Sequence, residues 1–142
     1  MYPKLYPYIL VIVLVVLCTT AFRSTESSRS VTRYASITGL KAEKVAYYKK
    51  LHAKVWPSVL RKIKACHIRN YSIFLKEIDG QFFLFSYFEY AGQNIKLDMQ
   101  KMASDPETQR WWKETDPCQQ PLSDAQEKGE IWSDMAEVFH TD

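Results

Sequence analysis

The chain has 142 residues, with 19 Lys and Arg against 16 Asp and Glu, and 46% of it is hydrophobic. That is one modest domain plus an appendage, and a net charge of +3 gathered into no basic stripe argues against nucleic acid as a partner. Three cysteines and four glycines, with no Cys/His cluster at ligand spacing, exclude a disulfide framework, a zinc site and a phosphate-cradling glycine loop.

The appendage comes first. Leu5 to Phe22 is an uncharged run of 18 residues, and Ile9 to Leu17 within it is wholly aliphatic. Such a run is at the lower limit for a membrane span and suits a signal peptide or anchor over residues 1–22, with Thr19-Thr20-Ala21 as a small-residue cleavage site. Residues 23–32 are polar and rich in Ser and Thr, a flexible tether. The expected consequence is export, or anchoring through residues 5–22, with no other contact to a membrane. The folded domain then covers residues 33–142. Cys66 and Cys118 could pair if the compartment is oxidising.

Arg33 to Thr38 alternates as a first strand, closed by Gly39. A helix is expected over Lys41 to Ala53, placing Tyr48 and His52 one turn apart on one face. Pro57 ends it near Trp56 and suits the first turn of a second helix, which runs to about His67. The period then changes to two. Asn70 to Lys76 and Gln81 to Glu89 form a hairpin across Asp79-Gly80. The second of these strands carries Phe82, Phe83, Leu84, Phe85, Tyr87 and Phe88, so it is apolar on both faces. Helices can cover one face only, and the other calls for a second subunit or a ligand cavity, hence an expected homodimer.

A helix to about Ala103 follows Gly92. Asp105-Pro106 opens another with a cap and a first-turn proline, and that helix carries Trp111 and Trp112. Asp116 to Gly129 reads as a long loop of a kind that often carries function. Trp132 to His140 reads as the last strand. The order βααββααβ is a ferredoxin-like α+β sandwich with an antiparallel sheet.

Imidazole is the side chain whose ordinary pKa lies near neutrality, so His52 is the natural proton carrier. Tyr48, Tyr71, Trp111 and Trp112 are flat or hydroxyl-bearing groups suited to a sugar, although core packing alone would also account for them. His67 and His140 read as structural or exposed.

The stretch Tyr48-x-x-x-His52-x-x-Val55-Trp56-Pro57, then Asn70-Tyr71-Ser72-Ile73-Phe74, Arg110-Trp111-Trp112 and Glu137-Val138-Phe139-His140 resembles the L-rhamnose mutarotase family from about Arg33 onward. The resemblance implies a dimeric α/β barrel acting without cofactor or metal on a monosaccharide. It implies that His52 is the proton donor and that Tyr48, Tyr71, Trp111 and Trp112 contact the sugar. The expected reaction is interconversion of the α and β anomers of L-rhamnose or a related 6-deoxyhexose. Typical members lack a counterpart of residues 1–32. A non-catalytic sugar-binding module on the same fold, a cofactor-free monooxygenase and a membrane-tethered interaction domain are the competing readings.

Overall fold

A computed structural model describes residues 31–141. The expected leader and most of the tether lie outside the described residues. Among the described residues no helix is long and apolar enough to cross a membrane.

Strand β1 (Thr32–Leu40) leads through a one-turn 3-10 helix, Ala42–Lys44, into α1 (Val45–His52). Helix α2 (Pro57–Ala65), strand β2 (Ile68–Ile78), strand β3 (Gln81–Tyr90), helix α3 (Ile95–Ala103) and helix α4 (Pro106–Thr115) follow. A 3-10 turn at Asp116–Cys118, strand β4 (Gln119–Gln120), helix α5 (Ser123–Glu127) and strand β5 (Ser133–Met135) complete the domain. The sheet runs β2-β3-β1-β4, with β5 also on β1 and every pairing antiparallel. This is the expected ferredoxin-like α+β arrangement.

The local chemistry acts where the sequence places it. Asp79 and Gly80 both take positive φ, 50° and 77°, closing the hairpin in the left-handed geometry that matches strand twist. Asn94 caps α3 by accepting from the Leu97 amide, and Asp105 caps α4 by accepting from the Thr108 amide. Trp56 is extended and Pro57 starts α2 as expected, but α1 has already ended at His52, with Ala53 as its C-cap, four residues before the Trp56 boundary that the proline alone marks.

One face of the sheet packs on the helices. Leu40, Tyr48, Leu84 and Cys118 form one buried cluster, and Cys66, Ile68 and Met102 form another. Burial of a side chain such as Leu84 stabilises by about 2 kcal/mol. The thiols of Cys66 and Cys118 are free and buried in these two separate clusters, so they do not pair. The opposite face carries Phe85, with Phe74 across the ladder from it and 62% exposed. The two-faced apolar pattern of β3 is real, and among the described residues no element covers its second face.

Three further expectations change. Gly39 lies inside β1: a Cβ there would come within 2.7 Å of the Gln120 carbonyl oxygen, so glycine lets β4 approach. The Asp116–Gly129 loop holds a 3-10 turn, a two-residue strand and a short helix. The last strand, expected over Trp132 to His140, is confined to Ser133–Met135. The outer edge of β1 is shared: β4 pairs at Gly39 and Leu40, and β5 pairs from Ala35 to Ile37. Beyond Met135 the chain leaves that edge. Val138 and Phe139 are 96% and 79% exposed, and Arg33 holds the tail through Glu137 and His140.

Candidate functional site

Tyr48 and His52 meet as their spacing predicts, since residues four apart on a helix share a face. Their rings stack with centroids 4.2 Å apart. Tyr48 is buried, and His52 is the last residue of α1. His52 Nδ1 lies 3.0 Å from the Tyr48 carbonyl oxygen. A carbonyl only accepts, so Nδ1 carries the hydrogen and Nε2 is left for other partners. Burial lowers the His52 pKa below the ordinary imidazole value, and the hydrogen bond to the Tyr48 carbonyl partly opposes this. The imidazole is therefore chiefly neutral near pH 7, with the Nε2 lone pair available.

Trp111 closes the other side of the imidazole, edge-on at 5.3 Å, and leans on Trp56 at 5.4 Å. The Arg110 guanidinium covers the Trp56 ring at 5.2 Å, so the stack Tyr48–His52–Trp111–Trp56 is held at both ends. Trp112, about 100° further round the helix, packs instead against the second cluster beside Phe88. The two tryptophans thus divide: Trp111 touches His52, while Trp112 packs against the cluster of Cys66, Ile68 and Met102.

Tyr71 arrives by a bulge. Between Arg69 and Ser72 the register shifts, so Asn70 and Tyr71 together oppose Phe88. Asn70 takes φ 49°, which asparagine tolerates better than most residues. Strict alternation would send Ile68 and Tyr71 to opposite faces; the extra residue turns both toward the helices. The Tyr71 ring meets Phe88 edge-on at 5.7 Å. Although Tyr71 is 43% exposed overall, its hydroxyl end lies inward near Ser86, and its desolvation raises the phenol pKa.

The Tyr48 hydroxyl is the hub. Gln119 Nε2 donates to it at 3.3 Å, and its pKa is raised by burial and by the nearby Tyr71, Cys118 and Asp116. The phenol accepts from Gln119 and keeps its own proton to give. Gln119 Oε1 is buried with no partner. An orphaned carbonyl of this kind costs about 1–3 kcal/mol, which a sugar hydroxyl could return on binding. Sequence reasoning missed Gln119 and Asp116 because they fell in a stretch read as loop.

Other groups are accounted for. His67 and Tyr90 bond to Asp98 at 2.8 and 2.7 Å, so His67 is structural, and His140 bonds to Arg33. Burial raises both cysteine pKa values, so neither offers a thiolate nucleophile. Among the described residues no cluster of His, Cys, Asp or Glu could hold a metal ion. A surface cleft of about 380 Å³ lies by Gly39, Gly80, Phe83 and Gln120, but no titratable group lines it, so it is not the reactive centre.

The sequence profile of the L-rhamnose mutarotase family matches residues 33–141. The L-rhamnose mutarotase of Bacillus subtilis is 36% identical over 110 residues, covering 78% of this chain and 98% of that protein. The L-rhamnose mutarotase of Oceanobacillus iheyensis is 35% identical over 95 residues, covering 67% and 84%. The crystal structure of an L-rhamnose mutarotase from Formosa agariphila superposes with a TM-score of 0.59 at 23% identity, over 78% of this chain and 99% of that one, a likeness of fold.

Proposed function

This chain belongs to the L-rhamnose mutarotase family, and from that membership we infer that it is a carbohydrate isomerase interconverting the α and β anomers of L-rhamnose. The observation that carries the mechanism is the His52 imidazole clamped between Tyr48 and Trp111, with Nδ1 tied to the Tyr48 carbonyl. Mutarotation removes the anomeric hydroxyl proton, protonates the ring oxygen, breaks the bond between C1 and that oxygen to give the open aldehyde, and recloses it on the other face. It consumes nothing and calls for groups that give and take protons near neutrality. Nε2 of His52 is such a group, and when protonated it is the donor to the ring oxygen.

Tyr48, Tyr71, Trp111 and Trp112 form the sugar-contacting set. Tyr48 offers its phenolic proton, and Gln119 Oε1 beside it accepts from a sugar hydroxyl. The aromatic rings take the apolar side of a 6-deoxyhexose by stacking. The test is saturation transfer between the anomer resonances of L-rhamnose, run beside L-fucose. Faster exchange with the protein than without it supports the reading, and a flat response to both sugars overturns it.

The uncovered sheet face supports a homodimer closing two sheets on one another. The uncharged Leu5 to Phe22 run supports export or anchoring ahead of the domain, testable by fractionating cells that make the full chain or a chain starting at Arg33.

A further inference from the structure

Ring opening needs two proton-handling groups, and the stack around Tyr48 supplies one imidazole. We propose that Asp116 is the second catalytic group, its carboxyl exchanging a proton with the sugar while His52 exchanges the other; this rests on the isomerase reading above.

Asp116 is placed badly for stability. It is the C-cap of α4, where the negative end of the helix dipole disfavours a carboxylate and a lysine or arginine would be favoured. It is half-buried, yet among the described residues its carboxyl accepts only one long hydrogen bond, at 3.4 Å from the Thr115 hydroxyl. Among the described residues no cation pairs with it. The other aspartates with shifted pKa values are satisfied. Asp98 accepts from three side chains, Asp105 from the amide and hydroxyl of Thr108, and Asp124 from Ser133. Hydrogen bonds hold all three low, whereas burial raises Asp116.

It is placed well for chemistry. Asp116 lies close enough to the Tyr48 hydroxyl to act on its pKa, and three residues later Gln119 bonds that same hydroxyl. The turn is rigid: Lys41 donates to the Pro117 carbonyl through its ammonium group at 2.8 Å and to the Cys118 carbonyl through its amide at 2.9 Å. Buried Cys118 anchors it in the cluster that holds Tyr48. A rigid support is what a proton-transfer group needs.

The proton balance closes with one mobile proton on the pair. Whichever group holds it gives it to the ring oxygen as the C1–O bond breaks, and the other takes the anomeric hydroxyl proton. The open aldehyde turns about C1–C2, and reclosure returns both protons. Burial moves the imidazole down and the carboxyl up, so the two arrangements come closer in energy and transfer is easy both ways.

The experiment compares wild type, Asp116→Asn and Asp116→Ala by anomer-exchange NMR and thermal melting. Asp116→Asn keeps shape and removes proton exchange. The expected result is a kcat lower by about 100-fold, KM within about threefold and Tm equal or higher, with formate restoring exchange to Asp116→Ala. Wild-type kcat in Asp116→Asn, a loss confined to KM, or a lowered Tm with no formate rescue would overturn the assignment. If wild type itself gives no exchange above the uncatalysed rate, the isomerase reading fails and takes this one with it. Wild-type acceleration with an unaffected Asp116→Asn removes Asp116 alone.

Discussion

His52 Nδ1 lies 3.0 Å from the carbonyl oxygen of Tyr48, one turn back on the same helix, so the backbone fixes which imidazole nitrogen is left for other partners. In the proposed mechanism the proton then passes through Nε2 alone. His52→Gln keeps a hydrogen-bonding amide and removes the titration. Its kcat is expected to fall by about 100-fold or more with KM within about threefold, measured by saturation transfer. A wild-type rate in His52→Gln would remove the residue from the mechanism.

The same burial makes His52 a pH-dependent liability to the fold. Its folded pKa is lower than its unfolded one, so the unfolded chain protonates first as pH falls. Stability is complete above the unfolded value of about 6.5 and declines as pH drops from there toward the folded pKa. Wild type should therefore lose Tm between neutral pH and pH 5 more steeply than His52→Gln, with the two parallel above pH 7. Parallel curves across the whole range would show that the imidazole is not desolvated.

Tyr48 and Gln119 act as one donor–acceptor pair, and their variants should fail in the same parameter. Tyr48→Phe loses the phenolic proton, and Gln119→Met loses the orphaned carbonyl. Each is expected to raise KM by about tenfold, with less effect on kcat, and the double variant should cost less than the product of the two. Independent effects that multiply fully would argue against a shared sugar hydroxyl.

The sequence made the helix-borne half of this site legible and hid the loop-borne half, for physical reasons. Tyr48 and His52 could be paired because helical period fixes which residues meet, and Asp79-Gly80 and Asp105-Pro106 marked their boundaries by backbone preference alone. Gln119 and Asp116 follow no period. They are placed by Gly39, which admits β4, and by Lys41, which ties the turn, and both are long-range contacts. Tyr71 was found but its direction was not, because a bulge at Asn70 resets alternation. The last strand was overextended since apolar Val138 and Phe139 look like strand residues, while the edge they would need is not theirs.

The open face of the sheet gives a test of assembly. Ile37 and Phe74 both pair with Phe85 across their ladders, and Phe74 is 62% exposed. Exposed apolar patches are characteristic of interfaces, which is the ground for the proposed dimer. Phe85→Asp points a charge outward at the centre of that face, away from Leu84 and the site. Light scattering should report a dimer for wild type and a monomer for Phe85→Asp, with anomer exchange weakened only as far as the fold depends on pairing. A monomeric wild type at micromolar concentration would remove the dimer.

Asp98 offers an acid-stability prediction independent of the candidate site. It is 4% exposed and receives hydrogen bonds from Lys101 at 2.9 Å, Tyr90 at 2.7 Å and His67 at 2.8 Å, joining α3 to the end of β3 and the start of β2. These donors, Lys101 first, hold its pKa far below the usual carboxylate range. A depressed folded pKa means the unfolded chain takes the proton first, so the stabilisation is present above the unfolded pKa of about 3.9 and is lost as pH falls below it. Asp98→Asn leaves an amide facing three donors and should lower Tm clearly at pH 7. The gap to wild type should narrow steadily below about pH 4. A gap that stays constant from pH 7 to pH 2 would mean that shape, and not charge, holds this corner of the fold together.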